Sequence, residues 1–283
     1  GDTITSYALL ITDLDCSSHS ESAALTLQKG ANLNMNGKTI IGNYDINCIE
    51  IGGDGVEIRE GTVTQCNYGI RVISDHTRIT SVRVSDSNDV GIRIDGNKNR
   101  ITSVKVRGSN DTGIRIKGSE NWITSIKVSG SNDRGIRIEG NENLLIWCTV
   151  TFSHTQGIKI DGGDSNKIYS NAVYDNCRDG IEIEEGNDNR LFYNRVNNNG
   201  KPETCAYFEE EYKPWFYAGI DVLSDSENNK IKYNRAGCNL GCVGSDDFPC
   251  TARERDFWDE NVDDEGNSVS TNVWKKNRIV CNN

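Results

Sequence analysis

Seven short segments recur down this chain in register: GIRV from Gly69, GIRI from Gly91, Gly113 and Gly135, GIKI from Gly157, GIEI from Gly180 and GIDV from Gly219. Successive starts lie 22, 22, 22, 22, 23 and 39 residues apart. A fixed period of this size with one short apolar β signal per repeat defines a solenoid, in which each turn stacks on the last. Within each segment two aliphatics alternate with glycine and a charged residue, the period of a half-buried strand. That alternation points Ile92 and Ile94 inward, and Gly91 and Arg93 outward. A second strand follows about ten residues later, as ITSVRV, ITSVKV and ITSIKV, then IYSNAV, LFYNRV and IKYNRA. The pattern predicts an all-β fold, a single-stranded right-handed parallel β-helix with about 22 residues per coil.

The unbroken repeat argues for one domain over residues 1–283. Irregular N-terminal coils and a cap occupy 1–47, and regular coils run over 48–236 with an inserted loop at 199–218. A disulfide-stapled C-terminal cap fills 237–283, with Cys238, Cys242, Cys250 and Cys281. Ten cysteines, an even number, point to an oxidising compartment and hence to secretion. With no apolar targeting stretch at the start, a signal peptide is expected to have been removed already. No apolar run is long enough to span a membrane. The net charge of −11 disfavours nucleic acid as a partner, but the charge is uneven. Residues 69–137 hold thirteen Lys and Arg against seven Asp and Glu. Nothing in the sequence sets an oligomeric state.

Those cations stack. Arg71, Arg93, Arg115, Arg137 and Lys159 occupy the outward middle position of five successive strands, a ladder of like charges ~4.8 Å apart. Like charges directly opposite repel, so either flanking acids neutralise them or an anionic ligand does. Asp95, Glu139 and Asp161 supply the first reading. A linear polyanion advancing about one sugar per coil, an acidic polysaccharide, supplies the second.

Beyond Lys159 the same position changes sign to Glu182 and then Asp221, and on the far side of the ladder it is Glu50. If the long coil loops out its excess, Glu182 and Asp221 lie on adjacent strands. Such a pair shares a proton, binds Ca²⁺, or serves as nucleophile and acid of a glycosidase; the alternative is an ordinary pair of solvated charges. The turn before each strand reads SNDV, SNDT and SNDR, then SHTQ, so His154 replaces Asn88, Asn110 and Asn132. An imidazole takes or returns a proton near neutral pH, although drift of the repeat explains the change equally. The insertion carries Trp215, which suits the apolar face of a sugar, and Tyr217, a candidate proton donor beside Asp221. Cys177 is a plausible partner for Cys205 of the insertion.

Two asparagine columns read as structural. Asn99, Asn121, Asn143, Asn166, Asn189 and Asn229 align at the turn before the second strand, where tolerance of left-handed angles and amide stacking suit Asn. Asn171, Asn194 and Asn234 form another. The acidic stretch DENVDDEGN offers Asp259, Asn261 and Asp263 as Ca²⁺ ligands, without the glycine and glutamate of a complete loop. Ca²⁺ is thus possible, and no other cofactor is indicated.

The GI-x-I strands, the turns NKIYSN, NRLFYN and NKIKYN, and the opening ALTL…LNMNGKTI…VEIREGTV…GIRV resemble the pectin-lyase-like, NosD-type parallel β-helix proteins over nearly the whole chain. The ending GNSVSTNVWKKNRIVC resembles the closing segment of secreted members. Such helices host polysaccharide lyases, C5-epimerases, glycoside hydrolases and non-enzymatic surface proteins. Alginate C5-epimerases best suit a cationic ladder with one histidine; of their Asp-Pro-His motif, FSHTQ contributes only His154. The resemblance implies a uronate-acting lyase or epimerase. In it His154 abstracts the C5 proton, Arg137 and Lys159 neutralise the carboxylate and Tyr217 returns a proton. Arg71, Arg93, Arg115 and Trp215 hold neighbouring sugars. The alternatives are a non-catalytic glycan-binding or cell-surface protein and a hydrolase using Glu182 and Asp221.

Overall fold

The structure, a computed structural model, describes residues 1–200, 218–223, 225–237, 239, 257–259 and 271–279. The chain divides into two compact units, Gly1–Asn132 and Asp133–Asn283. Each consists of short strands paired in parallel with the strand one coil further on, with no helix among the described residues.

In the first unit the parallel stacking already begins at Asp2–Ile4, which pairs with Ala23–Leu27. Ile49, Ile70, Ile92 and Ile114 then stand in one column and Ile51, Val72, Ile94 and Ile116 in the next, all fully buried. Leu33, Ile58, Ile79, Ile101 and Ile123 line the second wall, and Val63, Val84, Val106 and Val128 the third. The second unit repeats the arrangement with Ile136, Ile158, Ile181 and Ile220 and with Ile138, Ile160, Ile183 and Val222. Burying each such side chain stabilises the coil by about 1.5–3 kcal/mol.

The repeated glycine does not point outward as simple alternation predicts. Gly91 is buried, and a Cβ built on it would lie 2.4 Å from Val106 Cγ1 and 2.6 Å from the Gly113 carbonyl oxygen. The coil turns here, and the valine of its third strand closes directly over the start of the first. Gly135 and Gly180 meet Val150 and Val196 in the same way, at 2.2 Å each. Only a residue without a side chain fits.

The asparagine columns work through hydrogen bonds, not left-handed angles. The residue before each carries the positive φ, as in Lys98 and Glu120 at 56° and 57°. The buried amide itself accepts from the backbone of the previous coil: Asn99 N–H donates to Asn121 Oδ1 at 2.9 Å, and Asn166 N–H to Asn189 Oδ1 at 2.8 Å. Asn171, Asn194 and Asn234 form the second ladder, with N–H to Oδ1 distances of 3.0 and 2.8 Å. A third runs through Asn176, Asn199 and Asn239. A disulfide joins Cys48 to Cys66, Cys177 is also disulfide-bonded, and Cys16 and Cys148 are buried free thiols. Cys205 and the four C-terminal cysteines lie outside the described residues.

Gly91→Ala is expected to destabilise the protein by about 1–3 kcal/mol through overpacking. A lowered thermal midpoint would show it; an unchanged midpoint would mean that Val106 yields freely.

Candidate carboxylate site

The first strand of each coil carries both features singled out in the sequence. In the first unit Glu50, Arg71, Arg93 and Arg115 stand in one register. The arginines are not bare: Arg71 lies 3.5 Å from Glu50 and 3.7 Å from Asp95, and Arg93 lies 3.0 Å from Asp95. The Arg93 guanidinium also sits 5.7 Å from the Tyr68 ring centroid. Acids placed on the same face thus offset the repulsion within the column.

In the second unit Arg137 pairs in register with Lys159, Lys159 with Glu182, and Glu182 with Asp221. Arg137 is held by Glu139 at 3.0 Å and by Asp161. Lys159 contacts Glu182 at 2.9 Å and also Glu184. Gln156 Nε2 donates to the second oxygen of Glu182 at 2.7 Å. The Ala218 N–H donates to Asp179 Oδ1. These groups lie inside the protein surface: Lys159 is 7% exposed, Glu182 6%, Asp221 4% and Asp179 3%. Buried ions on this scale occur where they are paired or functional. Gln156 Oε1 is buried without a hydrogen-bond partner, so its amide is aimed for Glu182 at a cost to its own other end.

Burial, and after it the charges of Asp221 and Glu182, push the Asp179 carboxyl well above the usual carboxylate range; the Ala218 N–H pulls the other way and does not offset them. Burial pulls the Lys159 ammonium down, but Glu182 and Glu184 more than compensate, and the group titrates above its ordinary value. One carboxyl raised well above its ordinary value beside a carboxylate, Glu182, held by an ammonium is the asymmetry that acid–base chemistry uses.

Of the residues singled out in the sequence, Lys159, Glu182 and Asp221 come together here, with Arg137 one coil away. His154 is exposed on its turn and, among the described residues, makes no hydrogen bond or ion pair. Arg71, Arg93 and Arg115 belong to the first unit. Tyr217 and Trp215 lie outside the described residues, as do Asn261 and Asp263 of the acidic stretch. Asp179, Gln156 and Glu184 were not anticipated. A signal for two of them exists: the residue before each strand glycine reads Val90, Thr112, Arg134, Gln156, Asp179 and Ala218. Among the described residues no group of three or more His, Cys, Asp and Glu is arranged to hold a metal ion. No helix among them is long and apolar enough to cross a membrane.

Parallel coils carrying a buried acid cluster on their first strands define the class: a β-helix with a candidate site on one sheet. Residues 68–257 match the family described as the right handed beta helix region, and the chain belongs to that family. No curated protein matches the sequence. Among solved structures the chain is similar to the Dettilon tailspike protein, with a TM-score of 0.74 and 14% identity. The match covers 98% of this chain and 60% of the tailspike, so the chain spans well under two thirds of that protein. The A-module of the Azotobacter vinelandii mannuronan C-5 epimerase AlgE4 matches with a TM-score of 0.70 and 11% identity, over 97% of this chain and 86% of that one. The periplasmic alginate epimerase AlgG matches with a TM-score of 0.56 and 13% identity, over 91% and 62%. At these identities the likeness is one of fold.

Asp179→Asn should stabilise the protein at neutral pH. The native carboxyl holds its proton above the pH at which the unfolded chain loses it, so stability falls as pH rises between the two values. Asparagine removes that fall and keeps an oxygen for the Ala218 N–H. The expected gain in melting temperature appears at neutral pH and vanishes below about 3.8, the ordinary aspartate value. A variant no more stable than the parent at neutral pH would show that Asp179 is ionised in the native protein.

Proposed function

We propose that the protein acts on polysaccharides and hydrolyses glycosidic bonds at the carboxylate site. The observation that carries the reading is a buried Asp179, its carboxyl raised well above the usual range, set against Glu182 and Asp221. Asp179 gives its proton to the leaving glycosidic oxygen. Glu182 spends one oxygen on Lys159 and the other on Gln156, which holds it in place as one of the charges that, after burial and Asp221, raise Asp179. Asp221, in register beside it, accepts the proton of the water whose oxygen bonds to the anomeric carbon. The step is balanced: one water is consumed, and the acid and base exchange a proton before the next turnover. The epimerase neighbours, whose names print mannuronan and alginate, agree with a polysaccharide substrate. The disulfides agree with work outside the reducing cytoplasm.

A second reading is C5 proton abstraction from a uronate, as a lyase or epimerase, and the likeness to mannuronan and alginate epimerases favours it. It asks His154 to be the base and Arg137 and Lys159 to neutralise the substrate carboxylate. Both cations are already held by acids of this chain, which is why hydrolysis is preferred. A third reading, non-catalytic glycan binding, needs none of these groups.

Proton NMR of alginate, pectate and a neutral glucan incubated with the protein in heavy water separates the three. Hydrolysis gives new reducing ends without unsaturation. Asp179→Asn or Asp221→Asn is expected to lower that rate by about 10²–10⁴-fold, and His154→Ala to leave it intact. Unsaturated ends, or deuterium at C5, lost in His154→Ala would replace hydrolysis by C5 chemistry. Unchanged spectra for every glycan would leave the binding protein.

A further inference from the structure

The acid-paired ladder of the first strands is not the only stack of cations. In the second unit the second strand of each coil places Lys167, Arg190 and Lys230 in one register. The third strand places Arg195, Arg235 and Arg278 in another. All six are exposed. Among the described residues none of them forms an ion pair with a carboxylate, unlike Arg137 and Lys159 on the first strand. Neighbours in each column are ~4.8 Å apart, and like charges at that spacing repel. A chain of net charge −11 has ample acid to neutralise them.

Aromatic rings fill the bend between the two columns. Tyr169 stacks on Phe192 with centroids 5.3 Å apart, and Tyr193 on Tyr233 at 5.1 Å. Tyr193 and Tyr233 have φ of 61° and 59°. The same turn position is Ser81, Ser103, Ser125, Trp147 and Ser170 in other coils, all left-handed. A bulky side chain is an unusual occupant of that conformation, so an exposed aromatic here is retained against local strain. Each ring of a stacked pair gives one face to its partner, and Lys276 lies 5.4 Å from the Tyr233 centroid. The first unit, by itself, carries a like column of exposed cations without ion pairs, Arg83, Lys105 and Lys127.

We propose that the second and third strands of the second unit form an anion-binding face for a linear acidic polysaccharide, separate from the carboxylate site. A pyranose chain advances about one rung per sugar, so carboxylates or sulfates along it meet one cation per coil on each side of the aromatic ridge. Nucleic acid fits less well. Duplex DNA presents a charge every ~1.7 Å, out of step with one cation per coil, and a single strand, whose bases stack on aromatic faces, is the competitor in the test below. The face holds the polymer while another part of it is acted on, or holds it without any reaction. The proposal therefore does not rest on the hydrolytic reading.

The test is calorimetric titration of the whole chain with polygalacturonate, dextran sulfate, uncharged dextran and single-stranded oligothymidylate, at low and high salt. The expected result is salt-sensitive binding of an acidic glycan and none of dextran. Binding of both anions marks charge as the determinant, and binding of one marks carboxylate or sulfate. The variant Arg190→Ser/Arg195→Ser/Lys230→Ser/Arg235→Ser changes only exposed side chains and is expected to weaken binding by on the order of tenfold or more, since each unpaired cation contributes to polyanion affinity. Arg190→Lys/Arg195→Lys/Arg235→Lys, which keeps the charge, retains it. Asp179→Asn also retains it, which separates this face from the carboxylate site. The proposal is overturned if the serine variant binds like the parent, if no acidic glycan binds, or if the oligonucleotide binds more tightly than either glycan.

Discussion

In the described paired strands each side chain stands one sheet spacing, ~4.8 Å, from its counterpart in the next coil. Its main neighbour is therefore usually a residue of its own kind, and the column is the energetic unit. Isoleucine on isoleucine is favourable by burial alone. An amide carries both donor and acceptor, so a column of asparagines satisfies itself, as the Asn171, Asn194 and Asn234 ladder does. A column of like charges has no such complement. It must import acid, as Arg71 and Arg93 do from Glu50 and Asp95, or stay in water, as Arg195, Arg235 and Arg278 do. One constraint yields the core, the turns and the two kinds of charged face.

The same constraint explains what was legible beforehand. Period and alternation suffice to place the inward isoleucines, the Arg71–Arg93–Arg115 register and Glu182 beside Asp221, because all of these lie inside strands. Alternation misplaces Gly91, since the chain is turning there and the third strand, not the pleat, decides what it meets. It says nothing of Asp179, which precedes its strand and has no face assigned by the period. The third asparagine ladder, Asn176, Asn199 and Asn239, has the same spacings of 23 and 40 residues as the second, and its bonded amides show only in the structure. The cations of the second and third strands read as an ordinary solvated surface. Only the partner of each charge distinguishes them from the paired ladder, and partners are a property of three dimensions.

The candidate site occupies the stretch where columns cease to be uniform. The position before the strand glycine is apolar or hydroxyl-bearing in Val90 and Thr112, then becomes Arg134, Gln156 and Asp179. A break lets adjacent coils supply different groups to one point, which a uniform column cannot. It also forfeits the self-complementarity that stabilises the rest, and the raised Asp179 carboxyl and the Gln156 oxygen without a partner among the described residues are where that loss is visible. Strain and unmet polar groups of this kind concentrate at functional sites.

The near-identity of the coils from Gly69 onward has a consequence for folding. Sliding one coil past the next by a whole repeat would restore isoleucine over isoleucine and arginine over arginine, with 22 residues looped out. Side-chain preference alone barely separates such slipped registers from the native one, and a long loop adds only a modest entropic cost. What separates them is the singular features. The Cys48–Cys66 disulfide closes a span of 18 residues immediately before the repetitive run, so the first regular coil starts from a tethered edge. The covalent link then serves as a datum from which the coils that follow are counted.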